Sequence, residues 1–169
     1  NNIPTYIAFP KNEEKILKKA LAKVLSEVRG IHLQLTTTPD GEFETYYRTD
    51  DVMNIEEEIQ IVDLKGSSKE SWEAYAEDFL LTSFGDILNK RLYDTKIVLT
   101  DEQTILCLKF HHLVCDGTSL AILRDYIIKT YESMKAGKEY QIPNYDYFKY
   151  LKIEDEYQKS SEFDRDKSY

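Results

Sequence analysis

The sequence has few of the residues that build disulfide-rich, metal-binding or nucleic-acid-binding domains. Among 169 residues only Cys107 and Cys115 are cysteines, so a disulfide framework is excluded. Neither cysteine stands in a CxxC pair or in another spacing typical of metal ligands, and we predict no metal site. Basic residues are outnumbered, because 22 lysines and arginines face 31 aspartates and glutamates, and the net charge is −9. A nucleic-acid backbone would be repelled by this charge, so we exclude nucleic acid as a partner.

Long apolar runs are also missing. No stretch approaches the length that spans a membrane. Residues 1–4, Asn-Asn-Ile-Pro, show neither the basic nor the apolar segment of a signal peptide. We find no internal repeat and no low-complexity tract. These absences predict a cytoplasmic chain with no membrane partner, and the composition (41% hydrophobic and 31% charged) is typical of one globular domain.

Strand and helix patterns alternate along the chain. Ser68 or Ser71 is positioned to cap the helix predicted at 72–82. The chain after Ser160 is polar, and we expect it to fray. Asn12 is expected to cap the first helix, and Gly30 to follow its last turn. The predicted elements are a strand (3–9), a helix (between Asn12 and Gly30), a hairpin (31–48), a strand (59–64), a helix (72–82), a hairpin (97–111), and two helices (118–135 and 145–158). This order predicts an α/β (α+β) sandwich with a mixed, largely antiparallel sheet and helices packed on it.

The run His-His-Leu-Val-Cys-Asp-Gly, from His111 to Gly117, carries the main functional signal. Side chains alternate along the predicted strand 104–112, so His112 should end the face that holds the strand's apolar core residues. His111 should point to the opposite face. Partial burial disfavours the imidazolium form, which would keep His112 neutral and basic near pH 7. We therefore predict His112 to be a base at the edge of a cleft.

The other residues of this run have more than one role open to them. Asp116 can orient the histidine region, pair with a cation, or cap the following helix. Gly117 permits backbone angles that a bulkier residue resists. Two adjacent strand histidines cannot converge on one metal ion, because they point to opposite faces. A nucleophilic Cys115 thiol activated by His112 lacks an oxyanion hole and a third orienting group in the sequence.

The pattern His-His-x-x-x-Asp-Gly, placed after a strand and before an amphipathic helix, resembles the signature of nonribosomal peptide synthetase condensation domains. The same motif marks the wider chloramphenicol-acetyltransferase-like superfamily. The order of elements is similar to the N-terminal half of that family, from the Asn-Ile-Pro opening to the segment Tyr145-Asp146-Tyr147-Phe148. The resemblance implies that residues 1–169 form a chloramphenicol-acetyltransferase-like N-terminal lobe, and that the C-terminal lobe is absent from this sequence.

The resemblance also implies an activity in antibiotic and secondary metabolite biosynthesis. Carrier proteins deliver acyl or aminoacyl groups on phosphopantetheine arms into a tunnel between two lobes, where an amine attacks a thioester and an amide forms. No cofactor is bound directly. His112 is implied as general base or as the group that positions the nucleophile, while His111, Asp116 and Gly117 support it. The implied partners are carrier domains, the C-terminal lobe and neighbouring synthetase modules, and the isolated lobe is expected to be inactive.

One stretch departs from the family pattern. The family's Arg-His-Glu-x-Leu-Arg-Thr corresponds here to Glu-Val-Arg-Gly-Ile-His-Leu, so Glu27 and His32 replace its two arginines. The resemblance implies that one of these arginines supports the motif aspartate, which is Asp116 here. Arg29 is the nearby arginine that could take over this role. Two alternative functions remain open, and the missing arginines motivate the second of them. One is a stand-alone acyltransferase that uses coenzyme A, and the other is a degenerate lobe that binds carriers without catalysis.

Overall fold

A computed structural model describes residues 2–48, 54–143 and 147–167, without the side chain of Phe148. Over these ranges the chain forms strands and helices in alternation, with one short 3-10 turn near the start. In chain order they are β1 (Asn2–Pro10), α1 (Glu14–Glu27), the 3-10 turn (Arg29–His32), β2 (Leu33–Thr37), β3 (Phe43–Tyr47), α2 (Ile55–Glu58), β4 (Gln60–Asp63), α3 (Lys69–Leu81), β5 (Tyr93–Leu99), β6 (Gln103–His111), α4 (Gly117–Lys135), α5 (Tyr147–Gln158) and α6 (Ser161–Lys167).

Four strands form the main sheet in the order β1-β6-β5-β4. Strand β6 runs antiparallel to both β1 and β5, whereas β4 joins β5 in parallel. Strands β2 and β3 pair as a separate antiparallel hairpin. The predicted mixed, largely antiparallel sheet is therefore confirmed, and the strand that leads into the histidine pair lies in the middle of it.

Helices cover both faces of the main sheet. On one face α1 and α4 pack over Leu106, Leu108 and Phe110, the apolar alternation that the sequence predicts for β6. On the other face α3 packs over Ile105 and Cys107. Because β6 is central and covered on both sides, every residue from 104 to 110 is buried. Removal of this apolar surface from water is the main force that fixes the strand.

Both predicted ends of the first helix are wrong. Asn12 has a φ of 63°, a left-handed conformation that asparagine tolerates, so it forms a turn two residues before α1. The N-cap is Glu13, whose side chain makes no capping bond. Gly30 lies inside the 3-10 turn, not past a helix end, and Val28 is the C-cap. The 3-10 turn leads straight into β2, and no left-handed glycine is needed there.

Ser68 is the cap of α3, as one of the two predicted serines, and accepts a hydrogen bond from the Ser71 amide at 3.3 Å. The prediction that the tail frays is wrong, because α6 forms after Ser160. The Ser160 hydroxyl accepts from the Phe163 amide at 3.2 Å, and the Phe163 ring packs edge-on against Tyr157. Residues 145 and 146 of the last predicted helix lie outside the described residues. Among the helices over the described ranges, none has the length and apolar character to cross a membrane.

Candidate active site

The histidine pair stands where β6 gives way to a turn. The strand ends at His111, whose carbonyl accepts a hydrogen bond from the Val114 amide at 3.0 Å. The His111 ring adds a second bond, because its Nδ1 atom accepts from the Leu113 amide at 3.2 Å. A neutral imidazole that accepts at Nδ1 carries its proton on Nε2. His111 therefore closes the turn with both its backbone and its ring.

The prediction that His112 ends a buried face is wrong. The strand stops one residue earlier than predicted, and His112 is the first residue of the turn. Strand alternation no longer applies there, and the His112 side chain is exposed. The imidazole ring of His112 consequently stays in contact with water. The turn instead presents an imidazole that an incoming group can approach.

His111 has the more enclosed ring of the pair. It is half-buried, and the Phe84 ring packs edge-on against it with the ring centroids 6.0 Å apart. Burial lowers the pKa of His111 below its usual value, because loss of water disfavours the charged imidazolium form. The neutral form that accepts from Leu113 is thereby favoured at physiological pH. This arrangement fits the supporting position expected for His111.

Of the roles open to Asp116, the structure shows the helix cap. Its Oδ1 atom accepts from the Ser119 amide at 2.7 Å, at the N-terminus of α4. Hydrogen bonds at the start of the helix lower the pKa of Asp116, and the bond from the Ser119 backbone N–H has the largest effect. Over residues 2–48, 54–143 and 147–167, Asp116 makes no ion pair. The first turn of the helix stabilises the carboxylate in place of an arginine.

Gly117 has open space around it and an ordinary backbone conformation. It is the first residue of α4 and has no left-handed φ, so the expected need for unusual angles is wrong. A Cβ atom placed on Gly117 would meet nothing within 4 Å. The backbone beside the turn is therefore open on that side.

The thiol nucleophile considered from the sequence is not supported. Cys115 is buried at 5% exposure, and its Sγ lies 3.5 Å from the Asp116 carbonyl oxygen. Burial, with a smaller contribution from the Asp116 charge, raises the pKa of the Cys115 thiol to about 11. Thiolate is the reactive form, and little of it exists at neutral pH.

The stretch that departs from the family pattern does not reach Asp116. Glu27 forms an ion pair with Lys23 at 2.7 Å. His32 is fully enclosed, donates from Nε2 to the Leu25 carbonyl at 2.6 Å, and packs edge-on against Tyr93. Arg29 is exposed, and in the described part of the chain it forms no ion pair with Asp116.

A groove of about 590 Å³ runs beside the motif turn. Its walls are mostly apolar, and four of the large apolar side chains left exposed by the fold contribute to it: Leu113, Ile122, Tyr150 and Ile153. Arg29, Lys149 and Glu27 add charged groups to its lining. Volumes and linings of this kind are typical of small-molecule sites. Sequence reasoning missed the groove, because exposed apolar positions on α4 and α5 follow the same spacing as core positions.

Comparisons with known proteins identify the family to which this fold and site belong. A family model described as "Condensation domain" matches residues 2–169. A plipastatin synthase polypeptide of Bacillus subtilis (strain 168) is 27% identical over 115 residues, which cover 66% of this chain and 4% of that protein. The chain thus spans a small part of this relative.

Solved structures share the architecture. The starter condensation domain of rhizomide synthetase RzmA superposes with a TM-score of 0.81 at 17% identity, over 99% of this chain and 40% of that one. The EpoB cyclization-docking bidomain from Sorangium cellulosum gives a TM-score of 0.73 at 22% identity, over 99% of this chain and 32% of that one. These likenesses show the fold and confirm the predicted α/β sandwich with its mixed, largely antiparallel sheet. With a family model matched along residues 2–169, the chain belongs to the condensation-domain family.

Proposed function

We propose that this chain is the N-terminal lobe of a peptide-synthetase condensation domain and carries the base for amide bond formation. The observation that carries the proposal is the exposed His112 ring, held on a turn between a central strand and a capped helix. The substrates are a carrier-bound acyl or peptidyl thioester and a carrier-bound amino acid, each on a phosphopantetheine arm. The apolar groove beside the turn gives room for uncharged parts of such substrates.

In the proposed reaction the acceptor nitrogen attacks the thioester carbonyl carbon, and the carbon–sulfur bond breaks. His112 takes the proton that the amine loses and returns it to the departing thiolate, so the products are an amide and a free thiol. A base placed within hydrogen-bond reach of the amine contributes about 10²- to 10⁴-fold to such a step. Tethering of both reactants supplies much of the remaining rate, because the reaction is then effectively unimolecular.

The neighbours of His112 have supporting parts in this proposal. His111 closes the turn, Asp116 caps α4, and Gly117 leaves its backbone open to an approaching arm. The solved relatives are more than twice as long as this chain, which covers 40% of the RzmA domain. We propose that a second lobe forms the opposite wall of the substrate tunnel, and that residues 1–169 alone do not turn over.

The test uses the domain completed by its second lobe, with a thioester-loaded donor carrier and an aminoacyl acceptor carrier. His112→Ala is expected to reduce amide formation by about 10²- to 10⁴-fold, measured by mass spectrometry of the acceptor carrier. Thr118→Ala, at an exposed position in the first turn of α4, is the matched control and should retain the activity. Equal turnover of the His112 variant and the control would contradict the catalytic assignment.

The same preparation separates the alternatives. An acyltransferase that uses coenzyme A would accept an acyl-coenzyme A donor as readily as the loaded carrier. A degenerate lobe would bind the carriers, as measured by titration calorimetry, while the unmodified domain forms no amide. We expect turnover with the loaded carrier and little with the coenzyme A thioester.

A further inference from the structure

Lys109 is a buried cation two residues before the histidine pair. Its side chain is 7% exposed and points to the face of β6 that α3 covers, the same face as His111. A lysine ammonium is rarely buried, because loss of its water is costly unless protein groups replace that water. The groups around Lys109 therefore indicate what it holds together.

Those groups belong to the end of α3 and the segment after it. The Lys109 Nζ atom donates to the carbonyl of Thr82, the C-cap of α3, at 3.2 Å. It lies 4.5 Å from the centroid of the Phe79 ring and 5.4 Å from that of Phe84, within the range of cation–π attraction. Asp94, at 3.9 Å, is half-exposed, so it adds a weak ion pair.

Phe84 connects this cation to the active-site turn. The centroid of its ring lies 5.4 Å from the Lys109 Nζ atom, and the same ring packs edge-on against the His111 ring with the centroids 6.0 Å apart. His111 in turn accepts the Leu113 amide at Nδ1 and so closes the turn on which His112 stands. Ammonium, phenyl ring, imidazole and turn form one continuous set of contacts.

From this geometry we infer that Lys109 is a positioning residue for the histidine turn. Its ammonium fixes residues 82–84, Phe84 then holds the His111 ring, and the His111 ring keeps the turn that presents His112. The inference deepens the proposed function and rests on it only for the chemistry at His112. The contacts that place the His111 ring are present whether or not the domain turns over.

The test reads the His111 ring directly. The chain contains three histidines, His32, His111 and His112, so long-range ¹H–¹⁵N NMR of the imidazoles resolves each tautomer. In the unmodified chain His111 is expected as the Nε2–H tautomer. In Lys109→Met, which keeps an unbranched apolar stem but loses the ammonium, we expect a mixture of tautomers. The Leu113 amide should also exchange with solvent roughly fivefold faster, as for the loss of one hydrogen bond.

Lys96→Met is the matched control. Lys96 also lies against Phe79, with its Nζ 5.2 Å from the ring centroid, but its described contacts run to Tyr75 and not to Thr82 or Phe84. Phe84→Leu is the second variant, which leaves Lys109 in place and removes the ring between it and His111. It decides the question if Lys109→Met does not fold, as judged by thermal unfolding.

We expect the His111 tautomer and the Leu113 exchange rate to change in Lys109→Met and Phe84→Leu and to stay unchanged in Lys96→Met. An unchanged His111 ring in Lys109→Met, or an equal change in Lys96→Met, overturns the inference. In the complete domain Lys109→Met should lower kcat at nearly constant KM. If His112→Ala keeps full turnover, the proposed function fails, while the NMR result still decides the position of Lys109.

Discussion

Strand β6 and the turn after it are consecutive in the chain but opposite in exposure. Residues 104–110 are all buried between α3 on one face and α1 with α4 on the other, whereas His112 and Leu113 are exposed. The strand is paired with β1 along its whole length and with β5 over residues 104–110. The turn depends on a few local bonds, two of them to His111. Strand β6 is therefore the rigid segment, and the turn after it carries the His112 imidazole at the surface.

This division has a physical basis. A reactive group must be reached by a substrate, so it cannot lie inside a strand that is covered on both faces. It must also keep its place, and a site on a rigid element does so better than one on a long loop. A one-residue step from the end of a central strand satisfies both conditions. Substitutions in the strand should then affect stability most, and substitutions in the turn should affect activity.

The largest effect is expected in the strand. Phe110 is completely buried and packs against Tyr93 with the ring centroids 5.9 Å apart. Phe110→Ala should reduce the free energy of unfolding by about 3–5 kcal/mol, through lost burial and a residual cavity. Urea unfolding of the chain measures this loss, with Phe43→Ala as the control at an exposed aromatic. A loss below about 1 kcal/mol would mean that β6 is not the rigid part.

A smaller, pH-dependent effect is expected at the end of the turn, where Asp116 caps α4. Its pKa in the folded chain is lowered by the backbone amides, so its charge stabilises the fold above the ordinary value of 3.8. That contribution is lost as the pH falls through the lowered, folded-state pKa. Asp116→Asn keeps an acceptor for the cap but not the charge, so it should remove this dependence, whereas Asp116→Ala should also lower Tm at pH 7.

Thermal unfolding between pH 7 and pH 3 measures the Asp116 effect. Asp125→Asn is the control, because Asp125 lies on the same helix in an exposed i,i+4 pair with Lys129 that contributes little. The difference in Tm between the unmodified chain and Asp116→Asn should shrink toward the acid end of the range. A difference that grows as the pH falls would contradict the assignment of the charge to the helix cap.

The same comparison explains which features the sequence could predict. Runs of buried apolar residues mark β6 and the long helix α4, and both are predicted with ends correct to within one residue. The hairpin partner β5 is predicted only from Ile97, whereas it begins at Tyr93. The last residue of a strand is decided by local hydrogen bonds such as Leu113 N–H to His111 Nδ1. Such bonds leave no periodic pattern in the sequence. The predicted strand is therefore one residue too long, and His112 is exposed on the turn and not at the end of a buried face.

Long-range contacts set the same limit elsewhere. The role of Asp116 followed from a local capping pattern and was among the predicted options. The contacts of Lys109 join residues 82–84 to a strand more than twenty positions later, and nothing in the sequence around either segment indicates the other. The apolar groove likewise combines side chains from α4, α5 and the 3-10 turn. Such juxtapositions require the fold.

The smallest effect on stability is expected at the residue with the largest effect on chemistry. Because the His112 ring is exposed, His112→Ala should change the free energy of unfolding by no more than about 0.5 kcal/mol. His111→Ala should cost about 1 kcal/mol, since it removes a hydrogen bond to the turn and a ring contact with Phe84. Urea unfolding of both variants tests this order. If His112→Ala destabilises the chain as much as His111→Ala, then His112 is part of the scaffold, and a loss of turnover in that variant no longer identifies a base. If the predicted order holds, loss of amide formation in a fully stable His112 variant can be assigned to the missing imidazole.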